Sequence, residues 1–197
     1  SFLLPLIASL LQESLRWSPD SANTPWWETA TKNSVWTPFR STSRVAAMRS
    51  LILYPTNALV EDQIARLRRI LEPLHKDELD FPKIYFGRYT SQTLGSRFPP
   101  VAGKEIKAAG VEIADQIKAL EKDQIAVQNS GVDQGIRFEF ASHQFGELLS
   151  RWDIIATPPD ILITNYSMLN VMLARESEDP IFESTKKWLQ DYPEATF

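Results

Sequence analysis

Twice in this chain a short apolar run ends in a threonine–asparagine step and passes directly into a helical pattern: LILYPTNAL at residues 51–59 and ILITNYSML at 161–169. No other feature constrains the fold as strongly. An apolar run without polar alternation suits a strand covered on both faces, which is the habit of parallel sheets. Parallel neighbours cannot be joined by a tight turn. They need a crossover, usually a helix.

The rest of the chain fits that scheme. Residues 2–16 place Phe2, Leu3, Leu6, Ile7, Leu10, Leu11 and Leu15 at helical spacing, with Pro5 near the start. Strands are expected over 49–55, over KIYFGRYT (83–90), breaking at Gly87, and at the start of DILITNYSML (160–169). After the first, Asn57 is the expected cap of a helix carrying Val60, Ile64, Leu67, Leu71 and Leu74 inward and Arg66 and Arg69 outward. Glu61 and Asp62 suit its first turns, and Pro73 should end or kink it. The third strand runs into a helix through Leu173, and 181–189 is helical again. The final ATF resembles the entry to another strand.

Two stretches lack this order. Residues 17–45 hold Trp17, Trp26, Trp27 and Trp36 among polar residues and read as a loop held down by tryptophans. Residues 91–150 read mostly as an insertion, partly helical around Ile106, Ile113, Ile117 and Leu120 and weakened by Gly110. The expectation is one α/β domain over 1–197, a parallel sheet flanked by helices with insertions at about 17–45 and 91–150.

In open parallel sheets, ligands gather at the carboxyl ends of strands. A helix that starts there offers free backbone N–H groups and the positive end of a dipole, which suits phosphate. Two adjacent Thr/Asn turns of this kind would track successive phosphates of one strand. The plainer alternative is that Thr and Asn serve only as caps.

Other chemistry is excluded or unsupported. The chain has no cysteine, which rules out disulfides, zinc–thiolate sites and iron–sulfur clusters and fits a cytoplasmic setting. His75 and His143 lack companions at ligand spacing, so no metal site is expected, and no Ser/His/Asp set stands out. The opening SFLLPLIASLL turns polar at Gln12, too soon to span a bilayer, so no membrane partner is expected. Net charge is −4, so a nucleic-acid face must be local. The densest basic stretch holds Arg40, Arg44, Arg49, Arg66, Arg68 and Arg69 against Glu61 and Asp62; its alternative reading is a solvated helix face.

In combination, these motifs resemble the first RecA-like domain of superfamily 2 helicases of the DEAD/DEAH type. YPTNALVEDQ (54–63) is similar to motif Ia, and PDILITNYSML (159–169) to the strand and turn of motif Ib. FGRYT (86–90) sits where many members place a glycine-containing turn, and SFLLPLI (1–7) resembles the helix that follows the phosphate-binding loop. The resemblance covers about half of the chain. It implies that Pro55, Thr56, Asn57, Thr164, Asn165 and Tyr166 line a bound strand, with Gly87 and Arg88 as further contacts.

The family's ATP-binding motifs are missing. The single Gly-Lys pair, Gly103-Lys104, is followed by Glu105 and lacks the earlier glycine of a P-loop. Asp77-Glu78-Leu79-Asp80 mimics the acidic box in letters but follows no apolar strand. By the family pattern, the P-loop ends just before Ser1 and the box begins just after Phe197. The resemblance thus implies a catalytically inactive stretch of a larger ATPase that binds ATP and Mg2+ elsewhere, with no cofactor expected on this stretch alone. The implied partners are single-stranded or duplex nucleic acid, DNA favoured, and a second RecA-like domain of the parent. Within the family, the motif wording is most similar to large bacterial defence-island helicases of the DISARM type. The rival reading is a non-catalytic RecA-like scaffold that binds protein through its insertions; a complete small α/β enzyme is a further alternative.

Overall fold

The computed structural model describes residues 2–17, 26–28, 30–31, 38–39, 45–76, 83–95, 104–131, 135–142 and 146–193. Its strands are β1 (Ser50–Tyr54), β2 (Phe86–Tyr89), β3 (Glu147–Leu148) and β4 (Ile161–Asn165). They form one all-parallel sheet in the order β1-β4-β2-β3. The helices are α1 (Leu3–Ser14), α2 (Asn57–Lys76), α3 (Lys104–Asn129), α4 (Arg151–Ala156), α5 (Tyr166–Leu173) and α6 (Asp179–Asp191). The fold is α/β, a parallel sheet flanked by helices, and is consistent with an incomplete RecA-like domain.

Strand alternation sorts the core into two faces. Ile52, Phe86, Ile161 and Ile163 point to one side, where Leu3, Ile7 and Leu10 of α1 and Val60, Ile64, Leu67 and Leu71 of α2 cover them. Tyr89, Leu148 and Leu162 point to the other, against Ile154 and Ile155 of α4, Met172 of α5 and Ile181 of α6. β4 lies between β1 and β2, and its first four residues are buried, as its unbroken apolar run requires.

Several expectations change. Gly87 does not break its strand but lies in the middle of β2. A Cβ there would stand 3.2 Å from the Leu148 carbonyl oxygen and 3.3 Å from Ile154 Cδ1, so glycine lets β3 and α4 pack close. α2 continues through Pro73 to Lys76, because the proline is exposed and falls in the last turn. The stretch 91–150 contains α3, a helix of 26 residues, and ends in β3, so it adds a strand to the sheet. Gly110 leaves α3 unbroken and faces Trp27 and Ala30. α4 follows at once, capped by Ser150, whose Oγ accepts from the Asp153 amide at 3.1 Å.

Within 17–45 the described tryptophans anchor the chain to the core. Trp27 is buried, with its ring edge-on to Trp152 at 5.2 Å, and Trp26 Nε1 donates to Asp153 Oδ1 at 3.1 Å. Trp36, Arg40, Arg44, the sequence 77–80, Gly103, His143 and the terminal ATF lie outside the described residues.

Candidate nucleic-acid interface

β1 and β4 are neighbours, with Tyr54 opposite Asn165 in register. The two Thr/Asn turns therefore leave the sheet side by side, roughly 5 Å apart at the strand ends. Each opens a helix at once. At the first, Thr56 caps α2: its carbonyl accepts from the Val60 amide at 3.3 Å, and its Oγ1 accepts from Leu59 N at 3.5 Å, a long contact. The cap is thus Thr56 and not Asn57. At the second, Asn165 caps α5, with Oδ1 accepting from Met168 N at 2.7 Å. Its other side-chain atom, Nδ2, donates to Asn57 Oδ1 at 2.5 Å. One asparagine thereby closes one helix and ties it to the start of the other. The first amides of both helices have no carbonyl partner within their helix and sit on the same edge of the sheet.

Asn57 and Asn165 belong to a polar layer between α2 and the strand ends. Tyr54 at the end of β1 donates its hydroxyl to Gln63 Oε1 at 2.8 Å. Arg88, one residue before the end of β2, pairs through Nη1 with Glu61 Oε2. Three strands are therefore each held to α2 by one polar pair, above the apolar contacts of Ile52, Phe86 and Ile163. Two atoms of this layer are buried without a hydrogen-bond partner among the described residues: Glu61 Oε1 and Gln63 Nε2.

The residues expected to line a bound strand separate into two groups. Pro55, Thr56 and Tyr166 are exposed, Tyr166 to 56%, and Asn57 and Asn165 are half-buried at the rim. Thr164 is different. It is 0% exposed, and its hydroxyl donates to the Tyr89 carbonyl at 2.6 Å, joining β4 to β2. The physical reason is alternation: Asn165 faces α2, so Thr164 must face the opposite layer. Gly87 is buried within its strand, and Arg88 is half-buried against Glu61. Thr164 and Gly87 thus frame the edge without surfacing on it.

The arginine stretch does not form a single basic face. Arg49 is buried at the other end of the sheet, where Nε meets Glu13 at 2.7 Å and Nη1 meets Asp160 at 3.0 Å, between the rings of Trp17 and Trp188. Arg68 is buried in a bidentate pair with Glu147, at 2.8 and 2.7 Å, and donates to the Phe138 carbonyl at 2.8 Å. Arg66 pairs on the surface with Asp62, and Arg69 lies over Phe138. Sequence reasoning missed these structural roles because a helical position such as 68 looks outward until the partner segment is known. A bidentate carboxylate from β3 was the missing information.

Behind the edge, Tyr89 donates its hydroxyl to Glu178 Oε1 at 2.8 Å. Burial, reinforced by that carboxylate, pushes the phenol well above the ordinary tyrosine range. Arg151 lies 5.0 Å over the same ring and donates to the Thr90 carbonyl at 2.7 Å.

The described residues do not fit ATP and Mg2+. Neither turn has a glycine-rich loop or a following lysine, and no described group of three or more His, Cys, Asp or Glu side chains could hold a metal ion. No step through a nucleotide is assigned to them. No described helix is long and apolar enough to cross a membrane.

Among curated proteins, the chain is similar to the Druantia protein DruE of Escherichia coli (strain UMEA 4076-1), with 28% identity. The alignment covers 96% of this chain and 11% of that protein, so the chain spans about a tenth of its relative. No protein-family model matches the sequence. No solved structure matches it.

Proposed function

We propose that this chain is the strand-gripping part of an ATP-dependent nucleic-acid helicase or translocase in a bacterial defence system. The adjacency of the two turns carries the reading: helix starts at the ends of β1 and β4 share one edge and are fixed to each other by the Asn165–Asn57 bond. Phosphates would accept from the first amides of α2 and α5 and from the Thr56 hydroxyl, while Pro55 and Tyr166 would lie against sugar and base. Such contacts read the backbone and not the sequence. DNA is the favoured ligand. ATP and Mg2+ would be bound elsewhere in the larger protein, with force developed against a second RecA-like domain. The likeness to DruE supports the defence setting.

The test is fluorescence anisotropy with labelled oligothymidylate and a mixed-sequence strand of equal length. Both are expected to bind alike. Thr56→Ala should weaken both about fivefold, the value of one hydrogen bond of about 1 kcal/mol. Absent binding, or a Thr56→Ala protein with wild-type affinity, refutes the reading. A second reading, a protein-binding scaffold, draws on α1 and the residue that follows it, where Leu4 and Leu15 are 63% and 68% exposed.

A further inference from the structure

We infer that Glu61 is a positioning residue that restrains Arg88, and that the Arg88 guanidinium exchanges this carboxylate for a phosphate when a strand binds. The inference rests on the strand-gripping reading. Across the three segments that build the edge, 54–62, 86–95 and 163–170, Arg88 is the only cationic side chain. It stands one residue before the end of β2, on the side of the sheet that faces the first turns of α2. Its register partner, Ile163, lies two positions before Asn165 on the same face of β4. Phosphates seated on the two turns would therefore lie on the Arg88 side of the strand ends.

The pair does not have the form of a permanent structural ion pair. Arg68–Glu147 shows that form nearby: both side chains are at most 4% exposed, two bonds join them, and a backbone carbonyl takes a third donor. Arg88 is instead 20% exposed and Glu61 34%. They are joined through one guanidinium nitrogen, and Glu61 Oε1 is buried with no partner among the described residues. The carboxylate thus holds the cation through one oxygen and leaves the other unsatisfied. A phosphate offers more acceptor oxygens to the same guanidinium.

The experiment measures binding of labelled oligothymidylate by the protein across a KCl series, with melting curves to verify folding. Glu61→Gln keeps the shape and removes the competing charge. It is expected to bind about fivefold more tightly near 0.1 M salt with a log–log salt slope close to that of the wild type, because Arg88 neutralises the same phosphate in both proteins. Arg88→Gln should weaken binding and flatten the slope by about 0.7, the loss of one released counterion from a single strand, and the double variant should match Arg88→Gln. Arg88→Gln leaves Glu61 in place, so it tests the cation even if Glu61→Gln fails to fold. Glu61→Gln with unchanged or weaker binding overturns the inference, as does an Arg88→Gln protein with the wild-type slope. If Thr56→Ala still weakens the strand in that case, the grip reading survives and only the exchange fails. If the wild-type protein does not bind, both fall together.

Discussion

Thr56 and Thr164 each precede an asparagine in the sequence, yet substitution should separate stability from binding. Thr164→Val keeps the side-chain shape and removes one hydroxyl. That hydroxyl makes a 2.6 Å bond to the Tyr89 carbonyl at a position with no exposure. Loss of a buried neutral hydrogen bond should destabilise the fold by about 1–2 kcal/mol, or roughly 3–6 °C in Tm for a chain of this size. Binding of a single strand at 20 °C should stay within about twofold of wild type, because an effect below about 0.4 kcal/mol is expected for a group that meets no ligand. Thr56→Ala should do the reverse. Its hydroxyl is exposed and its cap contact to Leu59 N is long, at 3.5 Å, so the stability loss should stay near the low end for caps, about 0.5 kcal/mol. Its binding loss should be the fivefold given above. Differential scanning fluorimetry and anisotropy on the same preparations give both numbers. A Thr164→Val protein that melts like wild type refutes the reasoning. So does one that loses affinity as Thr56→Ala does while remaining folded at 20 °C.

Other substitutions probe the frame. Arg68→Met strands the Glu147 carboxylate, 1% exposed, and should destabilise the fold by about 3–5 kcal/mol in chemical unfolding; Arg68→Met with Glu147→Leu should recover much of that loss. Gly87→Ala places a methyl group 3.2 Å from the Leu148 carbonyl and should cost about 1–3 kcal/mol, read as a lower urea midpoint. Tyr89→Phe removes the bond to Glu178 and should cost about 1–2 kcal/mol at neutral pH. Because the folded phenol titrates above its unfolded value near 10, its contribution is complete below that pH and is lost as pH rises beyond it. Wild-type stability should therefore fall above pH 10, and Tyr89→Phe should remove that part of the decline.

Legibility in the sequence followed the range of the interactions. β1, β4 and α2 were readable because apolar runs and a 3.6-residue period are local signals: Val60, Ile64, Leu67 and Leu71 are all fully buried where the period placed them. β3 was not readable. Two residues cannot show a period, and Glu147 is an unpromising strand residue until Arg68, 79 positions away, neutralises it. α3 was legible only from Ile106 to Leu120 and not to its end at Asn129, and Gly110 argues against a helix until Trp27 and Ala30 are seen packed beside it. At the candidate site, the strand–turn–helix form marked both turns, but the roles inside them were hidden. Asn57 read as a cap and is a tie to Asn165; Thr164 read as a contact and is a tie to Tyr89. In each case the deciding fact was which strands are neighbours, and nothing local encodes that.

The strand order also shows how the edge is tied into the fold. β4 is joined to the helices on both sides of the sheet through two consecutive residues. Asn165 reaches α2 through Asn57, while Thr164 holds the carbonyl of Tyr89, whose own hydroxyl reaches Glu178 at the start of α6. The two turns are therefore tied to both helical layers. Fixed amides lose little freedom when a phosphate binds, so a few neutral contacts retain more of their affinity than mobile ones would. Among the described residues of the edge segments, the one cation is Arg88, and it is paired with Glu61. A grip of the proposed kind would depend on geometry more than on charge. Its salt dependence should accordingly be shallow, with a log–log slope shallower than about −2, where three or more free lysines or arginines on a single strand would give about −2 or steeper. A wild-type slope at that steeper value, measured in the same KCl series, would mean that basic residues beyond this edge carry the binding.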